Sequence, residues 1–473
     1  MLKYGIKIIQ WRIAMKKIAL VLCFLLLLCF MIASCSDSAD DTTVLDTTTE
    51  ALSAANTTAE SLANTSTAGE TTTIETAPVT TAPITTVAVT SEKTPEELLA
   101  ENVYAQAGLE LVLTVCEQYY DLRTNVLATT LTNKGATTVW PLASYIEMLA
   151  EAYRMFPDNE TVKKYYTAAL DRCLRKHMVT GATITPPSGV VYTNQTYYNA
   201  GPNWQGDFYY DDNAWICIQL LDAYKLLGKE TYLDYAERIL EFMWTGWDER
   251  AGGGIYWDKT FSGKGVCCNG PVAVAYCVGY QLTGKEDYLE RAKMIYDWCG
   301  RLLRGKDGIY NAGIKNFNIT SYVESNLDPW RPAYDQGTML CTASLLYEIT
   351  KDERYKTELS QTANASVNLL FNGNVMKKNP IFKSWCVGWL VRGEMISFEA
   401  GEERACKNFM RRMEATLQKT LKTKDANGHY DPFFCAPGDD FWSEDYFDDD
   451  VIMPTGVATV LLLFARYQVF QSN

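Results

Sequence analysis

From about residue 95 to the end of the chain, apolar residues recur at steps of three and four, the period of helices that bury one face. The stretch LLDAYKLLGKETYLDYAERILEFMW, beginning at Leu220, holds two such runs joined by a short polar turn near residue 229. The same grammar returns at Met148, Val278 and Ser344, with turns near residues 158, 285 and 352. Helices are predicted over 96–124, 138–156, 160–177, 212–227, 231–246, 270–283, 287–303, 336–350, 354–371, 384–399, 402–420 and 453–470. Paired by their short turns, they make six hairpins, and repeats at this spacing signal a helical array. An open array calls for polar capping repeats at its ends, which the pattern does not offer. The last run, TGVATVLLLFARYQVF, is apolar nearly throughout and suits closure. The expected fold is therefore all-α, an (α/α)6 barrel of six helical hairpins.

Connections within a hairpin are short, as at LLGKETY. Those between hairpins are long, over roughly 178–211, 247–269, 304–335 and 421–452. Alternating topology brings all the long ones to one end of the barrel. Long loops on a rigid scaffold are where binding residues concentrate.

The first 93 residues break the helical pattern. Lys16 and Lys17 precede the apolar run IALVLCFLLLLCFMIA, too short for a spanning helix and ending in small residues. Ile32-Ala33-Ser34-Cys35 resembles a bacterial lipobox, so residues 1–35 read as a lipoprotein signal peptide, with Met15 a candidate start and lipid on Cys35. An uncleaved anchor is the alternative. Residues 36–93, rich in Thr, Ser and Ala, lack the large apolar residues a core needs and read as a disordered tether. The folded unit is expected over 94–473, held at the cell surface by its lipid, since two or more acyl chains anchor stably.

Composition narrows the chemistry. The 473 residues carry a formal net charge of -14, which disfavours nucleic acid or an anionic membrane surface as partner. Of 14 cysteines, three (Cys23, Cys29, Cys35) lie in the export segment, leaving 14 − 3 = 11. They are scattered without a C-x-x-C pair, and many fall on apolar helix faces, where free Cys acts as a small hydrophobe.

The long loops are crowded with aromatic residues set among Asn, Gln and Gly, as in YYNAGPNWQGDFYYDD. Flat apolar rings beside amides and carboxylates suit sugars, which offer a C–H face and an edge of hydroxyls. Asp211 and Asp212 close one of these loops at a predicted helix start. An acidic pair there is either a cap or a catalytic pair. Hydrolysis of a glycoside by retention needs two carboxyls about 5–5.5 Å apart, which neighbours with Cα atoms about 3.8 Å apart can reach. Two close carboxylates resist ionising together, so one stays protonated. The residues alone leave cap and catalysis evenly matched. Asn269 and Gly270 stand before Pro271, which fits a first helical turn. Asp335 opens a helix in the same way and is either an N-cap or a contact on the same rim.

Metal chemistry is weakly encoded. With only two histidines, His177 and His429, a zinc site through Cys267, Cys268 and His429 lacks the usual ligand spacing. The magnesium motif D-D-x-x-D fails at Trp215. The acidic run 439–450 lacks the order of a calcium loop.

Taken together, YYDDNAW (209–215), GGGIYWD (252–258), NGPVAVAYCVGYQLTGKEDYLERA (269–292), DGIYNAGI (307–314) and YDQGTMLCTASLLYE (334–348) resemble glycoside hydrolase family 76, the endo-α-1,6-mannanases, across roughly 95–470. The resemblance implies an (α/α)6 barrel and retaining hydrolysis of α-1,6-mannosidic bonds, with Asp211 as nucleophile and Asp212 as acid/base. It implies no cofactor and a mannan or manno-oligosaccharide partner, taken by a monomer. Trp204, Tyr210, Trp257, Asn269, Asp335 and Gln336 are the expected substrate contacts. Asp335 departs from the family's usual Asn. A glycan-binding lipoprotein without catalysis and a mannan transglycosylase are the alternatives to hydrolysis.

Overall fold

The computed structural model describes residues 94–203, 205–314, 326–377, 384–434 and 450–471. The expected leader, Met15, Cys35, the tether, Trp204 and all but Asp450 of the acidic run 439–450 lie outside the described residues.

Six helices form an inner ring: α3 (Val139–Met155), α5 (Tyr210–Leu227), α7 (Val266–Thr283), α9 (Ala333–Thr350), α11 (Ser384–Glu399) and α13 (Ile452–Gln471). Each packs on the next, and α13 returns to α3, so the ring closes. These helices are buried on nearly every side, which explains their apolar sequences. The most apolar, α13, is long enough to cross a membrane by composition alone, but here it is the last stave of the core. The outer layer consists of α2 (Val103–Tyr119), α4 (Glu160–Ala168), α6 (Glu230–Trp244), α8 (Glu286–Leu302), α10 (Glu353–Leu370) and α12 (Glu403–Thr420). These bury one stripe and leave the other polar, as at α6, where Ala236, Ile239, Leu240 and Met243 face inward. The expected (α/α)6 barrel is the fold.

Short turns at Gly228 and Gly284 end α5 and α7 in the left-handed conformation that glycine takes without strain. The long connections all reach the opposite end, where the six inner helices begin.

Several boundaries differ from expectation. The predicted helix 96–124 is broken at Asn102, whose side chain caps α2 and whose own N–H closes the short helix α1 (Pro95–Glu101). It stops at Tyr119, where β1 (Tyr120–Asp121) pairs with β2 (Val126–Leu127). The long loop before α5 holds a twisted hairpin, β3 (Met178–Ile184) against β4 (Tyr192–Tyr198). Three inner helices start two to four residues early, so Pro271 lies inside α7 rather than in its first turn.

Toward the closed end, charges fill the ring. Glu151, fully buried, accepts from Arg154 (2.8 Å), Arg392 (2.9 Å) and Arg466 (2.7 Å). Arg392 also donates to Glu147, and Arg154 to Asp222. Burial alone would raise the Glu151 carboxyl, but the three guanidiniums outweigh it and hold it well below the usual range. The network ties α3 to α5, α11 and α13.

Candidate active site

At the open end, the second residue of each inner helix is Trp140, Asp211, Cys267, Tyr334, Trp385 and Met453, in ring order. Trp385 meets Trp140 and Trp215 edge-on, at 5.3 and 5.0 Å, and Tyr334 at a tilt, at 5.5 Å. One side of the mouth is thus a wall of rings and the other carries acids. Trp140 and Trp385 were absent from the expected contacts. Their shared place in the first turn of a predicted inner helix is the signal that marks them.

Asp211 and Asp212 do not cap α5. The cap position is Tyr209, which makes no side-chain bond, and the Tyr210 N–H donates instead to the Trp257 carbonyl at 2.7 Å. Asp211 Oδ1 accepts the Asp212 N–H at 2.9 Å, and its Oδ2 accepts the Trp257 indole Nε1–H at 2.9 Å. Among the described residues, no hydrogen bond holds the Asp212 carboxyl. This asymmetry separates the two acids. Burial in the mouth raises Asp211 to about 7 against the pull of its hydrogen bonds. Asp212 has burial and the neighbouring Asp211 charge and no compensating bond, so it is driven well above the carboxylate range. One member is poised to ionise while the other keeps its proton.

Trp257, 43% exposed, belongs to a loop fixed from behind. Lys264 is fully buried and donates to Asp248 Oδ1 (2.9 Å) and to the carbonyls of Asp248 (2.8 Å), Arg250 (2.9 Å) and Gly253 (2.8 Å). Gly252, Gly253 and Gly254 all take positive φ, and a Cβ on Gly253 or Gly254 would strike Trp247 or Trp298 below 3 Å. The GGG run therefore lets the loop lie flat on two indoles and turn Trp257 toward Asp211.

Three of the expected substrate contacts have a different job. Asn269 is fully buried; its Oδ1 accepts the Ile255 N–H (2.8 Å) and its Nδ2 donates to the Ile255 carbonyl (2.9 Å) and to Gly265 (2.8 Å). Gln336 does the same to Tyr310, at 2.8 and 2.9 Å, and to Pro332. Asn213, not singled out from the sequence, does it to Tyr198, at 2.7 and 3.0 Å, and to Tyr209. Each is the fourth residue of its helix. Each amide mimics a strand partner for one loop residue and answers a carbonyl four residues back. These side chains hold the mouth loops and are closed to solvent. Tyr210 is likewise enclosed, bonded to Thr245 at 3.0 Å and stacked on Phe242.

Asp335 is the third residue of α9 rather than its cap, with Pro332 in the cap position. Its carboxyl is fully buried and both oxygens lack a hydrogen-bond partner. Burial, with the Asp211 charge, pushes its pKa far up, so it stays a neutral acid. In this state it is closed to solvent.

Ten cysteines fall among the described residues, all as free thiols. Cys268 Sγ donates to the carbonyls of Ile255 (3.3 Å) and Gly265 (3.2 Å), and His429 Nε2 lies 2.7 Å from Gln118 Oε1 on α2. No cluster of three metal-ligating side chains occurs among the described residues.

A closed helical barrel with an unequal acid pair and a ring of indoles at its mouth is built like a glycosidase. The family model for glycosyl hydrolase family 76 matches residues 103–424, and the chain belongs to that family. The mannan endo-1,6-alpha-mannosidase DCW1 of Candida albicans is 24% identical over 203 residues, 41% of this chain and 40% of the fungal protein. The meiotically up-regulated gene 191 protein of Schizosaccharomyces pombe is 24% identical over 324 residues, 61% of this chain and 66% of its own. The chain thus spans less than two thirds of these relatives. Among solved structures, a GH76 α-mannanase of Bacteroides thetaiotaomicron superposes with a TM-score of 0.65 at 18% identity, covering 80% of this chain and 100% of its own. An inactive α-1,6-mannanase variant of Salegentibacter sp. HEL1_6, with two adjacent aspartates changed to asparagine and α-1,6-mannotriose bound, gives 0.61 at 19% identity, covering 77% and 99%.

Proposed function

We propose that the chain hydrolyses α-1,6-mannosidic linkages of mannan with retention of configuration, outside the cell and on a lipid tether at Cys35. The observation that carries the reading is the unequal setting of Asp211 and Asp212. Asp211, given two N–H donors, is the nucleophile. Asp212, without a donor and beside a like charge, is the acid. Asp212 gives its proton to the leaving oxygen as Asp211 attacks the anomeric carbon, forming a glycosyl ester. Asp212, now ionised, takes a proton from water, which displaces Asp211 and releases the sugar. The Trp257 N–H bond lowers the Asp211 charge in energy and aims its oxygen. The exposed indole of Trp140, backed by the buried Trp385, offers C–H faces of the sugar a flat apolar surface. Family membership and the adjacent-aspartate variant of the Salegentibacter enzyme support the same pair.

The test is product release from linear α-1,6-mannan by the purified protein beside Asp211→Asn and Asp212→Asn. Short manno-oligosaccharides from the wild type alone support the assignment. Binding without cleavage by the wild type makes the protein a glycan-capture lipoprotein.

A further inference from the structure

Away from the mouth, the outer helices α8 and α10 and the tip of the 245–265 loop enclose an open groove of about 630 Å³. That size is in the range of small-molecule and oligosaccharide sites. Its lining is charge-balanced: Glu249, Asp297 and Glu358 against Arg301, Arg304 and Arg354. Fixed contacts hold several of these charges. Arg354 pairs with Asp297 at 2.7 Å, Arg301 donates to the Gly252 carbonyl at 2.6 Å, and Glu249 accepts the Trp247 indole N–H at 2.9 Å. An ionic ligand would have to break such contacts, whereas a neutral polyol can bridge them with hydroxyls. Apolar surface lies among them: the half-buried Trp247 ring, stacked on Trp244 at 5.1 Å, and Met294, 41% exposed.

Gly300 adds an independent observation. It stands on the groove inside α8, where glycine weakens a helix relative to alanine. Its φ is not positive, and a Cβ built on it would meet nothing within 4 Å. Neither backbone nor packing requires glycine there. A side chain at this position would enter open space on the groove.

One loop serves both the groove and the mouth. Trp247 bridges Ile255 across the loop, whose tip (Glu249, Gly252) lines the groove and whose far arm carries Trp257 to Asp211.

We propose that this groove is a second, non-catalytic glycan site that holds a distant stretch of the same mannan chain whose linkage lies at Asp211 and Asp212. The identity of the sugar rests on the function proposed above. Two sites on one polymer raise its effective concentration at the mouth, an advantage lost to substrates too short to span both.

Gly300→Trp sets an indole on the groove from a position where a Cβ meets nothing within 4 Å, away from the core. Retardation in a native gel containing α-1,6-mannan is measured for the Asp212→Asn protein with and without Gly300→Trp. The ratio of kcat/KM on mannan to kcat/KM on α-1,6-mannotetraose is measured in the active background. The expected result is about a tenfold loss of polymer affinity and a fall in that ratio of similar size. Unchanged retardation and ratio, with a normal thermal transition, overturn the groove and leave the hydrolase reading intact. If the wild type cleaves no mannan yet Gly300→Trp still abolishes retardation, the groove stands and the catalytic reading falls. Met294→Asp, on the exposed face of the same helix, gives a second variant with the same expected loss.

Discussion

The Trp257 indole N–H points at Asp211 Oδ2 from 2.9 Å, and among the described residues nothing comparable supports Asp212. An indole N–H from a neighbouring loop, with the Asp212 backbone N–H, thus separates two adjacent, chemically identical side chains. Trp257→Phe keeps the ring and removes the donor. A hydrogen bond to a charged group contributes about 1.5–3 kcal/mol, so kcat/KM in weak acid should fall tenfold or more. The acid limb of the pH profile, set near 7 by Asp211 ionisation, should move to higher pH. A profile measured from pH 4 to 9 on manno-oligosaccharide checks both.

The amide clamps separate support from substrate contact. Asn213→Ala, Asn269→Ala and Gln336→Ala each strip a buried loop residue of its partners, costing about 1–3 kcal/mol. Urea denaturation should show that loss in each. A direct sugar contact would instead raise KM with stability unchanged.

Asp335 provides a pH test. Its ordinary pKa is 3.8 and its folded value is far higher, so the folded state keeps a proton that the unfolded state releases. That contribution is fully present below about pH 4 and is lost as pH rises toward the folded value. Asp335→Asn removes the dependence. The variant should gain stability relative to wild type between pH 4 and pH 7, read as the change in urea midpoint at the two pH values.

Behind the mouth, Lys264 and Asp248 form a buried pair that pins the loop carrying Trp257. Lys264→Met leaves Asp248 charged and bereft of this partner, a change that costs about 3–5 kcal/mol in buried pairs. The expected outcome is a lower thermal midpoint together with the same alkaline shift of the acid limb seen for Trp257→Phe, because the indole is no longer held.

Periodicity made the barrel legible because each hairpin repeats one apolar code, and the adjacent acids were legible because neighbours need no fold to be brought together. Some first turns were less so. The N–H groups of Tyr210 and Val266 are answered by the distant carbonyls of Trp257 and Ala312, so no local capping residue marks where α5 and α7 begin. The same non-locality misled the reading of Asn269 and Gln336, whose amides look like sugar ligands until their loop partners are in view. The hairpin β3–β4 had a visible signal, Thr- and Val-rich runs around PPSG, which the surrounding helical pattern obscured.

The most direct test of neighbouring carboxyls acting in double displacement is the anomer formed first from α-1,6-manno-oligosaccharide, followed by proton NMR before mutarotation. The α-anomer appearing first, with Asp211→Asn and Asp212→Asn producing neither, is the predicted result. The β-anomer appearing first would mean inversion by water and would contradict Asp211 as nucleophile.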